Sequence, residues 1–290
     1  MYVTALPCEA AAGETIPGEL RSRGRLLLHA RFADGRTIPD RIEEQGPSRI
    51  RFPAAARRGR SLEGIILNTG GGVAGGDHFA ASMRAGEGAR LVLTSQAAEK
   101  CYRSDGGLSR LSVDLAVQAG ASLDWLPQAT ILFDGARVAR TIHAEVAEGA
   151  RLLLMESVVL GRTAHGERFT YGRLTDSWRI RRGGRLVYAD GLSLGDAAGG
   201  VLARAACAHG WAAFATVLLV APDAMARLDA LREVADAVHA ARTDVEIGVS
   251  AWDGMASVRL LARDGLGLDA TIRRLIAPLG VCDPPRIWHF

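Results

Sequence analysis

Short apolar stretches that follow a Gly-Ala pair recur along the middle of the chain. Copies begin at Gly88, Gly120 and Gly149, and a weaker copy begins at Gly184, at intervals of 32, 29 and 35 residues. A glycine turn followed by a short strand at a period near thirty favours stacked strand layers, as in a β-solenoid or a β-sandwich. The alternative is that the copies only reflect how common Gly and Ala are in this chain, since the period varies by several residues.

The pattern changes in the C-terminal third. Apolar residues spaced three and four apart over residues 225–238 predict a helix, and a second helix is predicted over residues 268–279. Between them, the strand-like runs 245–251 and 256–262 flank an Asp-Gly pair, which predicts a β-hairpin. We therefore expect a mainly β fold, a β-helix-like stack of strands with two α-helices in the C-terminal third.

The domain organisation follows from the same patterns. Residues 1–20, rich in Ala, Glu, Gly and Pro, predict a flexible leader. Residues 21–290 predict a single domain, β-rich over 21–220, helix-hairpin-helix over 221–280 and a short tail over 281–290. A strand is expected from Gly24, ending at a turn at Asp34-Gly35.

Charge and composition exclude several classes of protein. The net charge is only +3, with 34 arginines and a single lysine, Lys100, which argues against a nucleic-acid-binding protein. Four widely spaced cysteines fit unpaired thiols in a reducing compartment. With neither a signal-peptide pattern nor an apolar run long enough to span a bilayer, we expect a cytoplasmic protein without membrane association.

The segment over residues 68–77 carries five glycines and ends at Asp77. It lacks the Lys-Ser or Lys-Thr of a phosphate-binding loop, and the Asp77 carboxylate would repel phosphate. The favoured interpretation is a tight turn at a strand crossing. The competing interpretation is a small-molecule enzyme or ligand-binding protein that uses this loop, with Cys101 or His78 as the reactive group.

Several carboxylates stand in apolar or glycine-rich β sequence, among them Asp77, Asp134, Glu156 and Asp190. Such groups must be paired, hydrogen-bonded, metal-bound or exposed. Ordinary outward-facing acids on strands with one wet face are the simpler explanation. The alternative is a row of interior oxygen ligands that holds a divalent ion weakly and passes it on.

Five segments, in the same order over nearly the whole chain, resemble the urease accessory protein D (UreD, also UreH) family. They are residues 68–77, 93–104, 123–136, 160–169 and 285–288. The resemblance implies a non-enzymatic assembly factor that binds the urease apoprotein and recruits accessory protein F, which in turn docks the GTPase accessory protein G. It also implies nickel in transit with no tightly bound cofactor, and a β-helix-like fold with two helices. A relative that serves another nickel protein or GTPase, away from urease, is the remaining alternative.

The resemblance extends to individual carboxylates. Asp77, Glu156 and Asp190 stand at positions where the family has acidic residues, and together with Glu167 as a further candidate they are the candidate nickel-pathway ligands. Ala129 replaces an acidic residue of the family pattern and removes one possible oxygen ligand.

Overall fold

Seventeen strands form the frame of the described part of the chain. The computed structural model describes residues 21–53, 60–281 and 284–289, and the predicted leader at 1–20 lies outside these ranges. In chain order the strands are β1 Arg23–Ala33, β2 Arg36–Gln45, β3 Ser48–Arg51, β4 Leu62–Asn68, β5 His78–Ala85, β6 Arg90–Ser95, β7 Glu99–Cys101, β8 Ser109–Val117, β9 Ser122–Trp125, β10 Thr130–Leu132, β11 Arg137–Val146, β12 Arg151–Leu160, β13 Arg173–Arg182, β14 Arg185–Leu194, β15 Ala213–Val220, β16 Val245–Trp252 and β17 Met255–Ala262. The α-helices are α1 Ala198–Leu202, α2 Leu228–Ala241 and α3 Gly265–Leu275.

The middle of the chain winds as a coil of parallel strands between two sheets. The first sheet has seven strands in the order β14-β13-β11-β8-β5-β1-β2. The second has ten, in the order β16-β17-β15-β12-β9-β6-β4-β3, with β10 and β7 paired alongside β12. Strands β5, β8, β11 and β13 are parallel to one another, as are β6, β9 and β12. This winding confirms the predicted β-helix-like stack.

The Gly-Ala pairs make the turns that lead from the first sheet to the second. Gly88, Gly120 and Gly149 have φ values of 67°, 65° and 74°, which glycine adopts without the steric cost that a Cβ brings. The strands that follow pair in register, with Leu91 beside Leu123 and Leu123 beside Leu152. The three clear copies are therefore structural repeats. The predicted fourth copy is wrong, because Gly184 lies in the antiparallel hairpin between β13 and β14.

Antiparallel hairpins close the stack at both ends. At one end β1 pairs with β2 around the predicted turn at Asp34-Gly35, where both residues have positive φ. At the other end β13 pairs with β14, while β12, β15, β17 and β16 continue the second sheet in antiparallel fashion. The predicted hairpin in the C-terminal third is β16–β17.

Apolar side chains fill two layers, one on each side of the second sheet. Between the sheets, Leu91, Leu123 and Leu152 are at most 1% exposed and stack from coil to coil. Each such leucine contributes roughly 1.5–3 kcal/mol through burial. On the outer side of the second sheet, α2 and α3 cover a separate apolar cluster, to which Trp288 also belongs.

Both predicted helices are present, and the structure adds a third. The first predicted helix is α2, with Leu231, Ala235 and Val238 buried. The second is α3. Asp264 caps its N-terminus, because its carboxylate accepts a hydrogen bond from the Gly267 amide at 2.9 Å. The unpredicted helix, α1, has only five residues and contains two glycines, so its sequence carries no apolar periodicity.

The turn glycines give a stability prediction. At both Gly149 and Gly248 an added Cβ would meet no atom within 4 Å, but only Gly149 has positive φ. We expect Gly149→Ala to lower the free energy of unfolding by about 1 kcal/mol, with a smaller loss for Gly149→Asn. Gly248→Ala is the matched control and should cause no loss in urea denaturation. Equal losses for the two alanine variants would contradict this explanation of the turns.

Candidate functional site

A cavity of about 310 Å³ lies between the two sheets, and we call it the inter-sheet cavity. Strands of the first sheet contribute apolar side chains such as Leu26, Phe79 and Val113. The second sheet, with β7 and β10, contributes polar groups, and Glu99 and Glu156 bring carboxylates to the lining. The cavity therefore has an apolar wall on one side and carboxylate oxygens on the other.

Arg140, Glu156 and Asp176 form a buried ion cluster, and Arg140 and Glu156 are part of the cavity lining. Arg140 donates from Nε to Asp176 Oδ1 at 3.1 Å and makes a second, shorter contact from Nη2 to Asp176 Oδ2. Its Nη1 donates to Glu156 Oε2. Glu156 also accepts from Trp125 Nε1 at 2.9 Å, and Asp176 accepts from Trp178 Nε1 at 3.1 Å. The cluster links β12 of the second sheet to β11 and β13 of the first.

The cluster holds two carboxylates against one guanidinium. Burial raises the pKa of the Glu156 carboxyl, and the charge of Arg140 only partly offsets that rise. Burial disfavours the charged form of Arg140 too, yet Glu156 and Asp176 together hold its pKa above the ordinary value. Arg140 therefore stays charged, and two buried acidic side chains share this one cation.

Glu99 is a cavity residue that sequence reasoning missed. Its Oε1 accepts a hydrogen bond from Asn68 Nδ2 at 3.1 Å, and burial raises the pKa of its carboxyl. Thr130 connects it to the cluster, because Thr130 pairs with Glu99 between β10 and β7 and its Oγ1 lies 3.5 Å from Arg140 Nη1. The available signal was alternation, since Glu99 stands two residues before the buried Cys101.

Arg140 and Asp176 were missed for a related reason. Each occupies an inward-facing position of a strand whose other inward positions are apolar, such as Ile142 on β11 and Trp178 on β13. A charged residue at such a position is a sign of a buried ion pair, but its partner is on another strand and is found only in three dimensions.

Asp77 holds the glycine-rich loop together. Its carboxylate is 4% exposed, and its two oxygens accept backbone N–H groups of Ser22 and Ala74, both at 2.8 Å. Within the loop, the Val73 amide donates to the Lys100 carbonyl at 2.7 Å, and the Tyr102 amide donates to the Val73 carbonyl at 2.9 Å. The loop therefore extends the β7 edge of the stack, in agreement with the predicted tight turn.

Close packing explains why the loop needs glycine. A Cβ at Gly75 would lie 2.2 Å from Ser104 Oγ, and one at Gly72 would lie 2.7 Å from the Lys100 carbonyl oxygen. Gly72 also has a φ of 149°, which side chains rarely allow. The glycines permit close approach of the chain to itself.

Asp190 and Glu167 lie in two further environments. Asp190 Oδ2 accepts from Arg259 Nη2 at 2.8 Å and from the Tyr188 hydroxyl at 3.2 Å. Glu167 accepts from the Nε and Nη2 of Arg162, both at 3.0 Å, and these bonds lower the pKa of its carboxyl.

The four predicted carboxylates thus have separate sets of hydrogen-bond partners, and only Glu156 lines the inter-sheet cavity. Within the described residues, no group of three or more His, Cys, Asp and Glu side chains is arranged to hold a metal ion.

The reactive residues of the enzyme alternative lie outside the inter-sheet cavity. The inter-sheet cavity touches Asn68, Gly71 and Gly72 of the loop, but its lining does not include Asp77, His78 or Cys101. Cys101 is 1% exposed, and burial raises the pKa of its thiol, which makes it a poor nucleophile. No α-helix in the described ranges has the length and apolarity to cross a membrane.

The ion cluster gives a second stability prediction. Arg140→Met leaves two buried carboxylates without a cation, so we expect the free energy of unfolding to fall by roughly 3–5 kcal/mol. Arg259→Met removes the guanidinium that pairs with Asp190. Because the Arg259 side chain is 61% exposed, this loss should lower the free energy of unfolding by less than about 1 kcal/mol. Denaturation with guanidinium chloride measures the free energy of unfolding of both variants. Similar losses would show that the interior pair is no more important than the exposed one.

Comparison with known proteins places these features in a family context. The family model described as UreD urease accessory protein matches residues 22–289. A protein of Methylobacterium sp. (strain 4-46) named urease accessory protein UreD is 46% identical over 274 residues, covering 94% of this chain and 96% of that protein. A protein of the same name from Rhodopseudomonas palustris (strain BisA53) is 46% identical over 268 residues, covering 92% of this chain and 91% of that protein. Another, from strain BisB18 of the same species, is 43% identical over 286 residues, covering 99% of both chains.

Proposed function

The chain belongs to the UreD family of urease accessory proteins, and we propose that it binds the urease apoprotein, recruits accessory proteins F and G, and guides nickel towards the active site. The family match over residues 22–289 carries this proposal. In it the chain acts in the cytoplasm by binding and positioning, and turns over no substrate.

The inter-sheet cavity supports the nickel part of the proposal. Glu99 and Glu156 bring carboxylate oxygens to one cavity, and the nearby ion cluster has one more carboxylate than cations. Carboxylate oxygens bind divalent first-row metals, and a site with few of them holds nickel weakly enough to release it. We propose that nickel passes this cavity, with Asp77, Asp190 and Glu167 serving the pathway outside it.

Dependence of urease on this chain is the first test. We expect urease expressed from its operon without this gene to contain little nickel and show little activity, and we expect both to return when the gene is supplied. Nickel per urease, measured by mass spectrometry of the purified enzyme, is the direct readout. Equal nickel content with and without the chain would contradict a maturation role.

The conduit is tested with side chains that keep their shape and lose their charge. Glu156→Gln and Glu99→Gln should leave the complex with urease intact. They should lower the nickel content of urease several-fold, because each removes a carboxylate from the cavity lining. Glu145→Gln is the control, since Glu145 is 61% exposed and pairs with Arg181 on the outer face of the first sheet. Asp77→Asn, Asp190→Asn and Glu167→Gln test the outer pathway in the same assay. Normal nickel loading with both cavity variants would leave a binding scaffold without a conduit.

A further inference from the structure

Arg140 occupies the position that a divalent cation would take between two carboxylates. Its guanidinium binds Asp176 through two donors and Glu156 through a third, and its side chain is 5% exposed. Carboxylate lone pairs that accept these hydrogen bonds are the same ones that would coordinate a metal ion. Nickel can therefore coordinate Glu156 Oε2 without competition only when Arg140 withdraws from that oxygen.

The charge of the cluster makes such an exchange feasible. Two acidic side chains share one guanidinium, so with both ionised the cluster attracts a further cation in the adjoining cavity. A buried carboxylate pair with no arginine would attract a divalent ion far more strongly, because its charge would be uncompensated in a region of low dielectric. The tethered guanidinium returns to its partners as soon as the ion moves on.

We propose that Arg140 competes with the passing nickel ion for the carboxylates of Glu156 and Asp176. This competition keeps the two carboxylates from binding nickel too tightly to release it. The inference rests on the proposed conduit function and adds a residue that sets how long the ion stays. Arg140 thereby makes the inner part of the cavity a place of passage.

A purely structural role for the cluster predicts something different. Arg140 joins β11 to β13 within the first sheet and to β12 of the second, so it also stabilises the packing of the sheets. If that were its whole role, its removal would change stability without creating affinity for nickel. Metal retention by the isolated chain therefore separates the two explanations.

The experiment uses the full-length chain and NiCl₂. Arg140→Met should bind nickel about tenfold more tightly than the original chain, the factor expected for removal of one charge-assisted hydrogen bond that competes for the ligand. Equilibrium dialysis measures the affinity. Nickel should also raise the thermal unfolding temperature of the variant and leave that of the original chain nearly unchanged.

Two further variants control the result. Arg151→Met removes another largely buried arginine that pairs with an aspartate, Asp124, but Arg151 is not part of the cavity lining, so nickel affinity should stay unchanged. Arg140→Met combined with Glu156→Gln should lose the gained affinity, because one of the two carboxylates is neutralised.

Arg140→Lys keeps the result decisive if the methionine variant does not fold. Lysine retains the positive charge but lacks the planar fork that engages both carboxylates, so nickel retention should be intermediate. Nickel binding no tighter than in the original chain, in a folded Arg140→Met or Arg140→Lys variant, would overturn the proposal. If Glu99→Gln and Glu156→Gln still lower the nickel content of urease in that case, the conduit function stands and only the role of Arg140 is lost. Urease loading that does not need the chain counts against the maturation role itself.

Discussion

In-register parallel pairing between successive coils is the constraint on which the rest of the structure depends. Backbone hydrogen bonds fix Leu91, Leu123 and Leu152 side by side, so each coil repeats the inward and outward directions of the one before it. Insertion or deletion of one residue in a turn would shift the register of the next strand and turn its side chains to the opposite face. The positive-φ glycines therefore determine which residues face the cavity.

Because the register is fixed, charged residues can occupy interior positions without losing their partners. Arg140 and Asp176 pair across neighbouring strands of the first sheet, and Glu156 reaches Arg140 from the opposite sheet. In a less rigid frame, water could enter and the charged groups could lose their partners. A buried charge without a partner would then lower the free energy of unfolding. The stack thus provides the rigidity that an interior polar site requires.

Those parts of the structure that follow local rules could be predicted from the sequence. The Gly-Ala turns need positive φ, α2 shows its apolar spacing, and the β16–β17 hairpin has Asp-Gly at its turn. The helix α1 was missed because glycines mask it, and Glu99, Arg140 and Asp176 were missed because their partners are distant in the chain. Family resemblance identified Glu156, but its place beside Arg140 is a result of the winding, which a one-dimensional pattern does not contain.

The tryptophan near the C-terminal end connects two layers of the molecule. Trp288 lies in the apolar cluster outside the second sheet and donates from Nε1 to Thr94 Oγ1 at 3.1 Å, while the next residue of β6, Ser95, lines the inter-sheet cavity. One strand therefore has the C-terminal segment on one face and the cavity on the other. Replacing Trp288, or anchoring a fusion partner beside it, would act on the cavity wall from behind, so the C-terminal segment is a mechanical support for the interior as well as a cover for the sheet.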